Sequence, residues 1–161
     1  MKPVRGFTLI EMVVVVAIVG VLAAAAVPVV EFSLRRAQES ALREGLRSLR
    51  QALDAHKAAV EGKRVAPGPS GSPWPAHLDV LVQGVPLLDA QGQVSADSKR
   101  LYLLRRLPRD PFADRSLPAA ETWALRSSQS PPDAPEAGED VFDVASRSEQ
   151  LALDGSRYSD W

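Results

Sequence analysis

One carboxylate stands at the entrance to the most apolar part of the chain, in RGFTLIEMVVVV (residues 5–16). Glu11 is followed by a stretch from Met12 to Val30 with no charged residue and no Asn, Gln or Ser. An unpaired carboxylate is costly in lipid, and less so near the headgroups. We therefore expect Glu11 either to reach the headgroups or to pair with a positive charge.

Other residue types that carry chemistry are sparse. The chain has no cysteine, which excludes disulfides and thiol catalysis. His56 falls on an apolar helix face, as packed core histidines do, and His77 follows PWPA with no second histidine at metal-ligand spacing. There is no nucleophile-elbow or phosphate-binding motif, and the net charge of −1 argues against nucleic-acid binding. We therefore expect neither an enzyme nor a resident cofactor.

The apolar stretch 12–30 is close to the ~20 residues with which a helix crosses a bilayer. It is longer than the apolar core of a cleaved secretory signal, although LAAAAV (22–27) imitates a cleavage site. An ordinary signal anchor is a second interpretation. Neither explains Glu11, and neither asks for a glycine followed by a phenylalanine at positions 6 and 7.

A third interpretation explains both features. The short basic leader, its glycine and FTLIEMVVVVAIVGVLAAAAVP (7–28) resemble the signal of type IV pilins and type II secretion pseudopilins. The resemblance implies that a prepilin peptidase cuts the Gly6–Phe7 bond, removes the leader 1–6 and N-methylates Phe7. Gly6 suits such a cut because it lacks a side chain and disfavours helix. The resemblance also implies a bacterial inner-membrane protein whose C-terminal part is periplasmic.

The same resemblance gives Glu11 a role in assembly. In the family, the glutamate of an incoming subunit pairs with the N-terminal amine of its neighbour in the filament. Phe7 and Glu11 are four residues apart, so on a helix they share a face and a pair within one chain is the alternative. In a low dielectric, a matched pair offsets much of the desolvation of each charge.

Helical periodicity continues past the apolar stretch and predicts one helix over about 8–61. Residues 7–30 would be its membrane and assembly half, and residues 31–61 its amphipathic half. In the second half, apolar residues recur every three or four positions and therefore lie on one face of the helix. We expect that face to be buried by the rest of the chain. That face comprises Leu42, Leu46, Leu49, Leu53, His56 and Val60. On other faces, the spacing predicts the ion pairs Glu39–Arg43 and Arg50–Asp54.

Gly20 and Pro28 interrupt this helix. A proline inside a helix removes a hydrogen bond and favours a kink. The resemblance implies that the helix melts around these residues in the filament, and a simple bend is the alternative.

Residues 62–161 are expected to form the loop-rich periplasmic part with a small β-sheet. LDVLVQGVPLL (78–88) predicts a short helix that ends at Gly84. TWALRSS (122–128) and VFDVASRS (141–148) predict two antiparallel strands on the leucine face of the helix. The sequence therefore predicts an α+β fold of the pilin type. Residues 62–99 resemble nothing specific.

YLLRRLPRDPF (102–112) resembles a segment of major type II secretion pseudopilins. Physically, Asp110-Pro111 favours a turn whose carboxylate accepts main-chain N–H groups, and Phe112 is expected to fill the core. A structural role for this segment is sufficient.

The final segment, VFDVASRSEQLALDGSRYSDW (141–161), is similar to the end of those pseudopilins, where a loop binds calcium. Here the loop is shortened, and Asp154 and Asp160 are the candidate ligands. Calcium needs six to eight oxygens, so a hairpin turn at Asp154-Gly155 is the competing interpretation. Trp161 is expected to anchor the end of this segment.

These features favour a structural subunit of a type II secretion pseudopilus. The resemblance implies a homo-oligomeric filament and, as further partners, other pseudopilins, the prepilin peptidase, an inner-membrane assembly platform and membrane lipid. A type IV pilus subunit and a membrane-tethered periplasmic module that never polymerises remain the alternatives.

Overall fold

The computed structural model describes residues 7–94, 97 and 99–161, with positions 25 and 26 described by their backbone alone. The leader 1–6 therefore lies outside the described residues. The α+β fold is confirmed, with one long helix followed by short antiparallel strands. The chain divides into two units between Ala37 and Gln38.

Helix α1 runs from Leu9 to Glu61, over 53 residues, and begins one residue after the predicted start. Pro28 lies inside it. Since proline has no N–H, the carbonyl of residue 24 loses its usual helical partner. The helix nevertheless continues through this position. One turn further on, the hydroxyl of Ser33 donates to the carbonyl of Val29 at 2.8 Å.

The first unit holds the apolar part of α1. An 18-residue window of mean hydropathy 3.0 makes α1 the one helix, in the described part of the chain, that is long and apolar enough to cross a membrane. Valine and isoleucine form helices poorly in water, yet in lipid every N–H must be bonded within its own segment. The composition of this unit is therefore that of a helix whose surroundings are lipid or other helices.

In the second unit the core is built on the predicted leucine face of α1. Leu42, Leu46, Leu49, Leu53 and His56 are all buried. Burying one leucine completely contributes about 1.5–3 kcal/mol, so this face is a large part of what holds the unit together. The face is covered by residues from several later segments, namely Trp74, Leu78, Leu81, Trp123, Val141, Val144, Ala152 and Tyr158.

The predicted short helix is α2, Val80–Gln83, and it ends at Gly84. Gly84 has φ +80°, and a Cβ there would lie 2.9 Å from the Tyr102 ring, so glycine is required. Strand β1 (Val85–Pro86) then pairs antiparallel with β2 (Arg100–Leu101). This pair was not predicted, because strands of two residues leave no periodicity to detect.

The two predicted strands form a second antiparallel sheet, β3 (Trp123–Arg126) with β4 (Asp143–Ser146). Trp123 is fully buried against Gly45 of α1, where an added Cβ would lie 3.2 Å from the indole. The indole N–H donates to the carbonyl of Pro108 at 2.9 Å. Gly45 therefore lets the sheet approach α1 closely. In the described chain, 3₁₀ helices lie at Pro69–Gly71, Ala119–Thr122 and Tyr158–Asp160.

Buried carboxylates fix the loops. Glu39 of α1 accepts hydrogen bonds from the N–H of Leu153 at 2.7 Å and from the hydroxyl of Tyr158 at 2.9 Å. Asp110 accepts from the N–H of Phe112 at 2.8 Å, as predicted, and from the hydroxyl of Ser146. Each carboxylate thus joins segments that are distant in sequence.

Both ion pairs predicted along α1 are wrong. Glu39 is buried and bonded as described above, and the guanidinium of Arg43 pairs with Asp154 at 3.2 Å. Arg50 pairs with Asp143 at 2.8 Å rather than with Asp54. Helical spacing identifies neighbours within the helix, but these side chains found partners in the segment that covers it.

A third buried carboxylate, Asp140, collects donors from two loops. It accepts hydrogen bonds from the hydroxyls of Ser72 (2.5 Å), Ser127 (2.8 Å) and Ser128 (2.6 Å) and from the N–H of Ser128 (2.9 Å). Burial raises the pKa of Asp140, but these hydrogen bonds outweigh it and lower the pKa to about 2.

Stability should therefore depend on pH through Asp140. A pKa lowered from 3.8 to about 2 stabilises the fold above about pH 4, and this contribution is lost as the pH falls through 2. At pH 6, we expect Asp140→Asn to lower the free energy of unfolding by about 2 kcal/mol, with the difference shrinking toward pH 2. Urea denaturation of the full chain in detergent, followed by tryptophan fluorescence, measures this.

Asp133→Asn is the matched control, because Asp133 is exposed and accepts no hydrogen bond from the described residues. A difference between wild type and Asp140→Asn that stays constant from pH 6 to pH 2 would contradict the assignment.

Candidate functional site

The start of α1 is held by reciprocal hydrogen bonds between Thr8 and Glu11. Oε2 of Glu11 accepts from the main-chain N–H and from the hydroxyl of Thr8, each at 2.9 Å. In return, the N–H of Glu11 donates to the Thr8 hydroxyl oxygen at 3.3 Å. This arrangement is a capping box, and it satisfies two N–H groups that a helix otherwise leaves unpaired at its start.

Phe7, the predicted methylation site, precedes this cap and is exposed. Gly6 lies outside the described residues, so cleavage between the two stays a prediction. While Phe7 is joined to residue 6, its nitrogen is an uncharged amide. The predicted pair between this nitrogen and Glu11 therefore requires the cut, and before it the described donors to the Glu11 carboxylate belong to Thr8.

Apolar side chains of the first unit are exposed over residues 9–24 and 27–34. Val16, for example, is 70% exposed, and none of the most apolar window is buried within the chain. Contiguous apolar surface of this kind marks contact with lipid or with other proteins. The exposed set includes Leu9, Ile10, Val13, Val14, Val15, Val16, Ile18, Val19, Val21, Leu22, Val27, Val29, Val30, Phe32 and Leu34.

Gly20 and Pro28, the predicted melting region, both lie within α1. Among the described residues, a Cβ at Gly20 would meet no atom within 4 Å, so none of their contacts requires glycine there. Melting in a filament stays a prediction, since the structure describes a single chain.

Asp154, a predicted calcium ligand, is already engaged. Its Oδ1 accepts from the N–H and hydroxyl of Ser156 at 3.0 and 2.6 Å, and its Oδ2 pairs with Arg43. The Ser156 hydrogen bonds, assisted by the charge of Arg43, lower the pKa of Asp154. The second predicted ligand, Asp160, accepts a 3.3 Å bond from Ser159.

The carboxylates of Asp154 and Asp160 are poorly arranged to bind calcium. In the described part of the chain, no three His, Cys, Asp or Glu side chains are grouped to hold a metal ion. A guanidinium already supplies the positive charge beside Asp154.

Two arginines of α1 fasten the final segment. Arg43 lies over the Trp161 ring, with its guanidinium carbon 4.2 Å from the ring centre. Arg50 donates to the carbonyls of Val144 and Trp161 at 3.0 and 2.8 Å, besides pairing with Asp143. Trp161 also meets the Tyr158 ring edge to face at 5.1 Å, so the predicted anchor is confirmed.

The two histidines lie in different environments. His56 is buried, with Nδ1 2.9 Å from the carbonyl oxygen of Pro73, and burial lowers its pKa. His77 is exposed in the loop before α2. His56 is thus the packed core histidine that its helical position predicted.

Comparison with known proteins gives two findings. The prokaryotic N-terminal methylation motif matches residues 1–27. Two fimbrial proteins of Pseudomonas aeruginosa are each 37% identical over 93 residues, which is 58% of this chain and 58% of each relative. The chain thus spans less than two thirds of the length of these relatives. No solved structure matches it.

The motif and the fimbrial relatives are similarities to type IV pilin-like proteins, and α1 is consistent with a single membrane anchor.

The sequence contained one signal that the residue-by-residue prediction missed. Thr8-x-x-Glu11 before an apolar run has the capping-box spacing, although Glu11 was interpreted through its charge alone. The contact of Arg43 with Asp154 had no comparable signal, because 111 residues separate the two.

We expect calcium to leave the thermal stability of the full chain unchanged, because Arg43 already neutralises Asp154. Exchanging calcium for a chelator should shift the unfolding midpoint by less than about 1 °C.

Arg43→Gln should lower the unfolding midpoint by roughly 2–4 °C, the scale of one lost cation–π contact in a domain of this size. Arg47→Gln is the control, since its contact with Glu44 is exposed and 3.8 Å long. A calcium-dependent rise of several degrees that Asp154→Asn abolishes would contradict this expectation.

Proposed function

We propose that this chain is a structural subunit, and not an enzyme, of the pseudopilus of a type II secretion system. In this proposal prepilin peptidase removes residues 1–6 and methylates Phe7. The mature chain is anchored in the inner membrane by α1, with its second unit in the periplasm, and it assembles with further copies and other pseudopilins on a membrane platform. The exposed apolar helix that begins at a processing motif carries the proposal.

The capping box lets Glu11 serve two partners. Oε2 caps the helix through Thr8, whereas Oε1 accepts no hydrogen bond from any described residue. Cleavage would create a positively charged amine on Phe7. Oε1 could then accept a hydrogen bond from the Phe7 amine of a neighbouring subunit. In lipid such a charge-assisted hydrogen bond has little competition from water. Glu11 would thereby set the axial register between subunits.

The apolar part of α1 supplies the remaining contact. In the membrane its side chains meet lipid, and in a filament they would meet the same segments of other copies. Helix association in apolar surroundings relies on close packing, for which Gly20 offers an open surface with no atom near its Cβ position. Gly20, a poor helix former, and Pro28, which lacks an N–H donor, are the proposed site of melting on assembly.

A type IV pilus subunit is the second candidate, and the fimbrial relatives favour it. The resemblance of residues 102–112 to major pseudopilins favours the secretion filament. Deletion of the gene separates the two, because a pseudopilin is needed for release of a secreted enzyme whereas a pilin is needed for surface pili. A membrane-tethered module that never polymerises predicts neither defect.

Processing should be visible in the mass of the mature protein. We expect the chain isolated from membranes to begin at Phe7 and to carry one added methyl group. In a strain without prepilin peptidase, the leader 1–6 should remain. An N-terminus near Ala26 in the native strain would instead indicate ordinary signal-peptidase cleavage.

Assembly should depend on the charge of Glu11. Glu11→Ala should reduce filament yield by at least about tenfold, while membrane insertion and processing persist, because the Phe7 amine of the neighbour loses its acceptor. Electron microscopy of sheared filaments, with membrane fractionation and mass spectrometry, measures all three.

Two further variants sharpen that test. Glu31→Ala removes another exposed carboxylate of α1 and should leave the yield unchanged. Thr8→Val removes the capping hydroxyl but keeps the Glu11 carboxylate, so filaments should persist. If Glu11→Ala assembles normally, the register role is wrong, and if Thr8→Val fails as completely as Glu11→Ala, the cap rather than the charge matters.

A further inference from the structure

A groove of about 690 Å³ opens in the second unit between α1 and the loop that precedes β3. It is lined on the α1 side by Ala41, Glu44, Gly45 and Ser48 and on the other side by residues 104–109, and we call it the basic groove. Gly45 is buried, while Leu107 and Pro108 are half-buried, so part of the lining is apolar. The exposed side chains at its border are mostly arginines.

Three arginines and one glutamate border the basic groove. Arg109 is fixed by hydrogen bonds to the carbonyls of Leu117 and Asp114. Arg105 and Arg106 are exposed, and no described residue accepts a hydrogen bond or forms an ion pair with either guanidinium. Glu44 lies 3.8 Å from Arg47. The groove thus presents two adjacent cations, with no partner in the described part of the chain, beside an apolar floor.

Residues 131–139, PPDAPEAGE, form the complementary surface, which we call the acidic loop. All nine are exposed, and they include three acids and no basic residue. Glu139 accepts a hydrogen bond from Ser70, whereas the carboxylates of Asp133 and Glu136 have no partner among the described residues. The three prolines restrict the backbone, so ordering this loop on binding costs little entropy.

We propose that the basic groove of one copy binds the acidic loop of a second copy. Asp133 and Glu136 would pair with Arg105 and Arg106, and the prolines and alanines of the loop would cover the apolar floor. Because small residues and prolines stand between its acids, the loop matches both the rim and the floor, which a lipid headgroup does not. The contact rests on the proposed filament function, because only assembly brings second units together in the same orientation.

Complementary charges of this kind select partners and fix register more than they add affinity. The proposed contact would therefore give the second units a specific arrangement that α1 alone does not dictate, since an apolar helix surface discriminates weakly between neighbours.

Cysteine cross-linking tests the contact, because the native chain contains no cysteine. Ser48→Cys places a thiol in the groove, and Ala134→Cys places one in the loop. The two full-length single variants are co-expressed in the native strain, so a bond between them joins different copies. We expect oxidation to give a 48–134 dimer at least about fivefold above a control pair in which Gln91→Cys, in an exposed turn, replaces Ala134→Cys.

Charge reversal shows whether the arginines are responsible. Arg105→Glu with Arg106→Glu in the Ser48→Cys chain should return the dimer to the control level. Asp133→Lys with Glu136→Lys in the Ala134→Cys chain should restore it. Raising the salt concentration during oxidation from 0.05 to 0.5 M should weaken the native cross-link, because salt screens exposed charges.

Filament yield, counted in the same cells by electron microscopy, separates this proposal from the proposed function. Filaments without a 48–134 dimer above control would overturn the contact and leave the filament function standing. A dimer that survives charge reversal would overturn the role of the arginines. If neither filaments nor dimer form, the proposed function fails and the contact fails with it.

Discussion

The leucine face of α1 must be buried by the rest of the second unit, which has little regular secondary structure. Its strands contain only two or four residues in the described part, so main-chain pairing alone orders few segments. Buried carboxylates take over this task. Glu39, Asp110 and Asp140 each accept hydrogen bonds from segments far away in sequence. A buried carboxylate that lost such donors would be strongly unfavourable, so each one specifies how its loops meet.

The same principle operates at the start of α1. The first turn of a helix has unpaired N–H groups, and lipid offers nothing to bond them. The Thr8–Glu11 capping box satisfies two of these groups with a carboxylate that retains a second oxygen. The glutamate that looked like a misplaced charge is therefore part of how the helix begins, before any filament exists. Assembly would add a partner to a group that the helix already holds in place.

The sequence predicts the parts of this structure that depend on residues close together in the chain, and it fails where the interacting residues are far apart in the chain. Helical periodicity predicted α1 and its buried face, from Leu42 to His56, because neighbours four residues apart decide both. Strand composition likewise predicted β3 and β4. The β1–β2 pair was missed because two residues carry no pattern, and the ion pairs of Arg43 and Arg50 were wrong because tertiary partners displaced helical ones. Local rules could not identify an acceptor more than 90 residues away.

The arginines of the second unit differ in how they are engaged within the chain. Arg43 and Arg50 of α1 are engaged by the final segment, through Asp154, Asp143 and Trp161. Their contacts lie within the second unit and join α1 to the final segment. Arg105 and Arg106, which belong to the loop beside α1, have no such contacts in the described chain. They are therefore the side chains that the proposed contact with the acidic loop of a second copy would use, since exposed charges contribute little to folding but can select partners.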